Sequence, residues 1–331
     1  MALDVEALRE RIATAESLHE IVETMRTLAT VNIRRANQAT SAANAYLRAV
    51  HIALHVALRN TRAARRAPQP SPARARRRVR GAGPPTLLVF SSNQGLCGTF
   101  NERVTKRALE VAARAAAEHG VAPGALPFVC VGYRGSDRLT TAGMRVVAVL
   151  DAPSSVEAVG PLVREIYRAV GERLDPEGRL IAVANHPTGA AGFATRDVSL
   201  LPFDPARWRR LPEGEPPFAT LPLLSGGPVD AVLADLVREL LYIDLYRILI
   251  ESFAAENAAR VVSMQGATQN IEELLAELQA AYREARQDAI TNELMDILGG
   301  MLATEAVPYH RIDDRMDSHI DNGTGNQTRR T

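Results

Sequence analysis

Residues 2–67 contain neither Pro nor Gly, and apolar side chains recur along them at steps of three or four. Leu8, Ile12, Ala15, Leu18, Val22, Met25, Ala29, Ile33 and Ala36 fall on one stripe of a 3.6-residue period. The pattern predicts one helix over residues 3–60, about 85 Å long. A compact domain of 331 residues has no use for such a helix, and a narrow apolar stripe on it asks for a partner helix, as in a coiled coil. The same pattern returns near the other end, from Val229 to Leu302, with Gly266 the only interior breaker before Gly299 and Gly300. Ile271, Leu274, Leu278, Ala281, Ala285 and Ala289 again step by three or four. The first and last helices are natural antiparallel partners, with everything between them inserted as a separate body.

That inserted part changes period. TLLVFSS (86–92), LPFVCVGY (126–133), MRVVAVLD (144–151) and RLIAVANH (179–186) are short apolar runs of strand length, and residues 193–203 offer a fifth. Helical stretches at 102–119, 136–142 and 155–174 separate them. Strands alternating with helices imply a mostly parallel sheet covered on both faces. The expected organisation is a coiled-coil helix (1–66), an Arg/Pro-rich loop (67–85), an α/β domain (86–205), a Pro-rich linker (206–228), a second coiled-coil helix (229–303) and a polar tail (304–331) expected to be disordered.

Charge and cysteine content narrow the function classes. The net charge is +1, but eight Arg lie within residues 62–80 with no acid, so the remainder is net acidic. Lys106 is the single lysine. Cys97 and Cys130 are the only cysteines, which excludes a disulfide scaffold and a multi-cysteine zinc site. The first 17 residues carry early acids and no apolar run, unlike a signal peptide. No stretch of 18 apolar residues is present to span a bilayer. The expected compartment is the cytoplasm.

Most chemistry-bearing motifs read more simply as structure. The segment SSNQGLCGTFN (91–101) places glycines after a strand and before a helix, where backbone N–H groups can meet a phosphate. It lacks the spacing of a dinucleotide loop and the Gly-Lys-Ser/Thr of a P-loop, so a tight packing turn is the better reading. Cys97 stands at a helix start but has no companion His motif, and reads as a small buried residue. His51 and His55 have metal-capable spacing without a third ligand. His310, Asp313, Asp314, Asp317 and His319 lie in a tail expected to be disordered. Neither set is expected to hold a metal, and the Arg-rich loop lacks stacking aromatics, so nucleic acid is not expected there. A sharper signal is Ile290, Leu294, Met295, Ile297, Leu298, Met301 and Leu302, which go most of the way round the last helix. A helix apolar on nearly all faces is enclosed by something, and one partner helix covers only one side.

These residues resemble the gamma subunit of F-type ATP synthases. Ile21, Met25-Arg26 and Ile33-Arg34-Arg35-Ala36 match the family's N-terminal helix. Residues 91–101 match its Ser-x-x-Gly-Leu-Cys-Gly-Gly-x-Asn signature, with Thr99 at the second Gly of the final pair. The most specific match is 256–300, through Arg260, Met264, Ala267, Thr268, Asn270, Tyr282, Ala285, Arg286, Gln287, Ile290, Thr291, Glu293 and Leu294.

The resemblance implies a long antiparallel coiled coil of the two terminal helices with an inserted Rossmann-like α/β domain. It implies a rotor shaft inside a ring of alpha and beta subunits, carried with an epsilon subunit on the membrane ring of c subunits. The shaft would be peripheral to the cytoplasmic face of a bacterial inner membrane. It would hold no cofactor and do no covalent chemistry. Arg286, Gln287, Thr291 and Glu293 are expected to touch the beta subunits. Met25, Arg26 and Arg260 would lie where the lower shaft meets the beta lever loops, and Leu294 and Leu298 would turn inside an apolar sleeve. Glu20 and Glu23 stand where the family tends to be basic, which marks a divergent member. Two other classes fit parts of the chain: an α/β enzyme with a ligand pocket at the strand C-termini, and an Arg-rich nucleic-acid binder on a stalk.

Overall fold

A computed structural model describes residues 2–60, 83–171, 178–189, 192–208 and 229–305. Nearly all of the expected tail, loop and linker lies outside these residues. Five α-helices are described: α1 (Ala2–Asn60), α2 (Phe100–His119), α3 (Tyr133–Thr141), α4 (Val159–Gly171) and α5 (Val229–Glu305). Five strands are described: β1 (Thr86–Phe90), β2 (Pro127–Val131), β3 (Arg145–Leu150), β4 (Leu180–Thr188) and β5 (Gly192–Leu201). The chain divides into two compact units, Ala15–Leu274 and Met1–Thr14 with Leu275–Thr331.

In the larger unit, the buried residues of α1 repeat at seven. Ala15, Ala29, Ala36, Ala43, Val50 and Ala57 are all buried, and each pair is separated by a multiple of seven. A 3.5-residue period keeps one seam facing the partner by winding the two helices left-handedly. Alanine dominates the seam, so the two backbones can approach closely. The partner is α5, and the direction is antiparallel: Tyr46 bonds Glu239, Asn32 bonds Asn257, Glu23 bonds Thr268 and His19 meets Glu272. Numbers fall along α1 as they rise along α5. Leu18, expected on the stripe, is 49% exposed, and half-buried His19 takes the inner position. The 3.6-residue pattern drifts off a 3.5-residue seam within two heptads.

The sheet has the order β3-β2-β1-β4-β5. Strands β1 to β4 are parallel, and β5 returns antiparallel to β4 as a hairpin. Central β1 is buried throughout, and its side chains alternate between two cores. Leu87 and Val89 point to one face with Val104, Ala108, Val111 and Ala112 of α2 and Leu139 of α3. Leu88 and Phe90 point to the other, with Val159, Leu162, Val163 and Ile166 of α4 and Leu245, Ile248, Leu249 and Phe253 of α5. One face of the sheet is therefore a seat for α5. Ala36 of α1 reaches the same core. From Ser252 to Ala259, eight consecutive residues of α5 are buried, because α1 covers one side and the α/β body the other.

At the far end of α1, Trp208 joins Val50, Leu54, Leu58 and Leu240 in a small core. The edge of its ring packs against His51, with centroids 4.8 Å apart. In the smaller unit, Leu278 of α5 is buried, and Leu275, Tyr282, Ala285 and Ala289 are half-buried. Ala281, expected on this face, is exposed, as is Leu274, the last residue of the larger unit. The inner positions again follow the coiled-coil spacing of four and three.

Candidate partner-binding surfaces

The loop between β1 and α2 lies where the sheet's connections change direction, since β2 and β4 flank β1 on opposite sides. Such a switch point is where open α/β sheets usually bind ligands. Here the chain itself fills it. Cys97 and Phe100 pack against Ala255 and Ala259 of α5, with Phe193 of β5 alongside. Asn101 organises the turn: its Oδ1 accepts the Ser92 N–H at 3.0 Å, and its Nδ2 donates to Ser92 Oγ at 2.8 Å. The Cys97 sulfur lies 3.3 Å from Asn101 Nδ2 and 3.6 Å from Ser92 Oγ. Burial pushes the Cys97 thiol above its ordinary range, a push that the Ser92 hydrogen bond only partly offsets. That is the opposite of an activated nucleophile. Gly98 has φ +55°, which favours glycine, whereas Thr99 has φ −84°, which any residue adopts. Thr99 therefore replaces a glycine without backbone strain. The most distinctive loop of the sequence serves as a socket for α5.

Met25 and Arg26 lie in the helix pair, half-buried. Arg26 Nη2 donates to Glu23 Oε2 at 2.7 Å, and Glu23 Oε1 accepts from Thr268 at 3.0 Å. His19, Glu23, Arg26, Gln265, Thr268, Gln269 and Glu272 line a shallow polar groove along the two helices. Arg260 is placed differently. It donates to Glu256 Oε1 at 2.7 Å, one turn earlier on α5, and both side chains are largely buried. Burial pushes the Glu256 carboxyl above its ordinary range, against the Arg260 charge and hydrogen bond that pull it down. Leu28 and Val31 on α1 and Val262 on α5 are exposed apolar side chains at this level.

In the smaller unit, Arg286, Gln287, Thr291, Glu293, Leu294 and Leu298 are all exposed. The Thr291 hydroxyl donates back to the Gln287 carbonyl at 2.9 Å, so it is satisfied within the helix. From residue 291 to 300 every position is exposed, and Ile290, Leu294, Met295, Ile297, Leu298 and Met301 are 47–64% exposed. Six large apolar side chains on one free helix end form a patch that the described chain leaves in water.

Sequence reasoning found the apolar end but missed the polar contacts between the helices, Asn32 with Asn257 and Glu23 with Thr268. Helical spacing at four was the available signal for Glu256–Arg260, but no spacing links residues more than 200 positions apart. No helix among the described residues is long and apolar enough to cross a membrane.

A family model described as ATP synthase matches residues 4–304. The chain is 33% identical over 221 residues to the ATP synthase gamma chain of Chlorobaculum parvum, covering 65% of this chain and 71% of that one. Its fold is similar to chains in the Euglena gracilis mitochondrial ATP synthase. In the rotor in rotational state 1 the TM-score is 0.57 at 16% identity, covering 88% of this chain and 100% of the other. In the OSCP/F1/c-ring assembly in rotational state 3 it is 0.55 at 17% identity, covering 95% and 100%. A chain of the Tetrahymena thermophila central stalk/c-ring structure gives 0.50 at 15% identity, covering 75% and 99%.

Proposed function

Since this chain belongs to the ATP synthase gamma-chain family, we infer that it works mechanically, as a shaft whose asymmetry is read by the subunits around it. It is the central rotor stalk and a non-catalytic subunit. The heptad seam makes two helices into one stiff rod. The sheet face that seats α5 gives the rod a body through which it can be turned.

The observation that carries this reading is the uncovered end of α5. Leu294 and Leu298, with their apolar neighbours, fit a sleeve formed by the alpha and beta subunits, and Arg286, Gln287, Thr291 and Glu293 flank it as beta-subunit contacts. Met25 and Arg26, in the polar groove of the coil, would meet the beta lever loops. Arg260 would support that level of the shaft from within, through Glu256. The α/β body would rest on the c-ring with an epsilon subunit beside it, at the cytoplasmic face of a bacterial inner membrane. No nucleic acid, metal or cofactor enters this mechanism. Each rotary position would press different faces of the rod on the three beta sites, linking ion flow to ATP.

The test is to change Leu294 and Leu298 together to Asp and follow assembly with alpha and beta subunits on native gels. Each Leu moved from water into a sleeve is worth about 1.5–3 kcal/mol, and a buried unpaired carboxylate adds a penalty. Assembly should fail while the free chain, which leaves both side chains in water, melts unchanged. Normal assembly and ATPase activity with both Asp present would remove the sleeve from the mechanism.

A further inference from the structure

Arg196 and Asp197 are neighbours on β5 and therefore point to opposite faces of the sheet. Both are tied to a helix. On one face Asp197 accepts from Arg107 at 2.6 Å and from Arg114 at 3.3 Å, both on α2. On the other, Arg196 Nη2 donates to Glu251 Oε2 of α5 at 2.5 Å. The second Glu251 oxygen takes Arg247 at 3.3 Å, and Arg247 reaches Asp244 at 3.5 Å. The α5 side of this chain of charges is largely buried, with Asp244, Arg247 and Glu251 side chains only 13–19% exposed. Two Arg and two carboxylates balance there, so the cluster is neutral.

Beside these ties, α5 and the sheet share an apolar core: Leu245, Ile248, Leu249 and Phe253 with Leu88, Phe90, Ala182 and Ala184. Apolar burial holds surfaces together without a preferred direction. Guanidinium–carboxylate bonds are directional, and they fix which residue sits opposite which. Glu251 also lies immediately before Ser252–Ala259, the enclosed stretch of α5. The charged ties thus stand within the seat of the shaft helix, between Leu249 and Phe253, which both join the sheet core. They connect α2, β5 and α5 in one line through an edge strand that pairs, among the described residues, with β4 alone.

We propose that the Arg196–Glu251 contact, backed by Asp197 on α2 and by Arg247 on α5, is the joint that passes torque between the α/β body and the shaft helix. The proposal rests on the rotor reading above. Its elements are all on this chain, and it assigns Arg196 and Glu251 as positioning residues that no other part of the mechanism uses.

The test uses the assembled complex, immobilised through its catalytic ring. A bead is attached to a cysteine introduced at Ala113, an exposed position of α2. ATP-driven rotation of the bead and its angular spread while the shaft is stalled are both read. Replacing Arg196→Gln removes the guanidinium charge from this contact, so the variance of the stalled angle should rise above that of the unaltered complex. Unloaded ATP hydrolysis should stay unchanged, while the melting temperature of the complex falls modestly, because Glu251 keeps Arg247 as its partner but loses Arg196. Arg196→Lys, which keeps the charge, should recover most of the stiffness. If Arg196→Gln lowers the yield of complex, Glu251→Asp keeps the charge but shortens the reach, and should broaden the spread in the same sense. A bead that never rotates in the unaltered complex overturns the rotor reading and the joint with it. Rotation with an unchanged spread in these variants overturns the joint alone.

Discussion

Glu23 of α1 and Thr268 of α5 are joined across the helix pair: the threonine hydroxyl donates to Glu23 Oε1 at 3.0 Å while Oε2 holds Arg26 at 2.7 Å. An acid on α1 is thus used inside the shaft, as a bridge between its two helices. Neighbouring Glu20 is exposed and is free to meet a partner's charge. The two acids are not equivalent, and changing them separately should show it.

Thr268→Val removes the hydroxyl and keeps the shape. A partly buried hydrogen bond to a charged group contributes about 1.5–3 kcal/mol, and solvent access to Glu23 places this case at the low end. The chain should lose about 1.5 kcal/mol, read from denaturant midpoints. Glu23→Gln should lose a similar amount, and the double change should lose less than the sum of the two. Strict additivity would mean that the bond is not formed in solution.

The pair of half-buried Asn32 and buried Asn257 pins the register of the two helices. Asn257 Nδ2 donates to the Phe253 carbonyl at 2.8 Å, and its Oδ1 accepts from Asn32 at 3.3 Å. Asn32→Ala leaves that oxygen without a donor inside the pair, at a cost of about 1–3 kcal/mol. Changing both to Leu should restore much of the stability while loosening register, since a polar pair specifies alignment at some expense in stability. Crosslinking between introduced cysteines along the seam would read this. One sharp register in the double-Leu chain would argue against the pinning role.

Gly132 permits the closest backbone approach in the α/β body. Its φ is +92°, and a Cβ there would lie 2.5 Å from the Ser91 carbonyl oxygen and 2.7 Å from Ser91 Oγ. Ser91 Oγ bonds the Val131 and Gly132 carbonyls and accepts the Gly135 N–H, so it cannot move aside cheaply. Gly132→Ala should cost about 2–5 kcal/mol from combined strain and overpacking. Gly120→Ala, also at positive φ but with open space around it, should cost less. Equal melting shifts for the two would contradict the steric argument.

His186 predicts an acid-side loss of stability. Its Nδ1 is buried without a hydrogen-bond partner. Burial first, and then the Arg196 charge, hold its pKa below the ordinary 6.5, against weaker opposite effects from Glu251 and the Ala194 carbonyl. The unfolded chain therefore takes up the proton before the folded one does. Stability present above pH 6.5 should fall as the pH drops through the folded value. Melting curves between about pH 7.5 and 5.5 should show a smaller loss for His186→Gln than for the unaltered chain. Identical slopes would exclude His186 as the source.

The order of elements was legible in the sequence because each has its own period. Residues 2–67 lack any breaker, the β1 run is wholly apolar between turn signals, and the closing helix repeats at three and four. The position of each inner residue was less legible. Leu18, Leu274 and Ala281 satisfy a 3.6-residue stripe yet stand in water, while His19, Leu275 and Tyr282 take the inner places. That choice belongs to the supercoil, which exists only once two helices are wound together. The apolar end at 290–301 was visible in the sequence, since hydrophobic side chains that go most of the way round a helix can be counted without a partner.

The sequence by itself determined which segments are helices and strands, that the two long helices pair, and to which family the chain belongs. Those properties reside in local periodicity and in short runs of residues. Only the tertiary structure decided that the loop 91–101 is a socket filled by Ala255 and Ala259, that Glu23 serves Thr268, and that Arg196 and Asp197 fasten one strand to two helices. Each of these depends on a contact between residues far apart in the chain. Small side chains, a threonine hydroxyl and a single arginine have no meaning in sequence until packing brings their partners within about 3 Å.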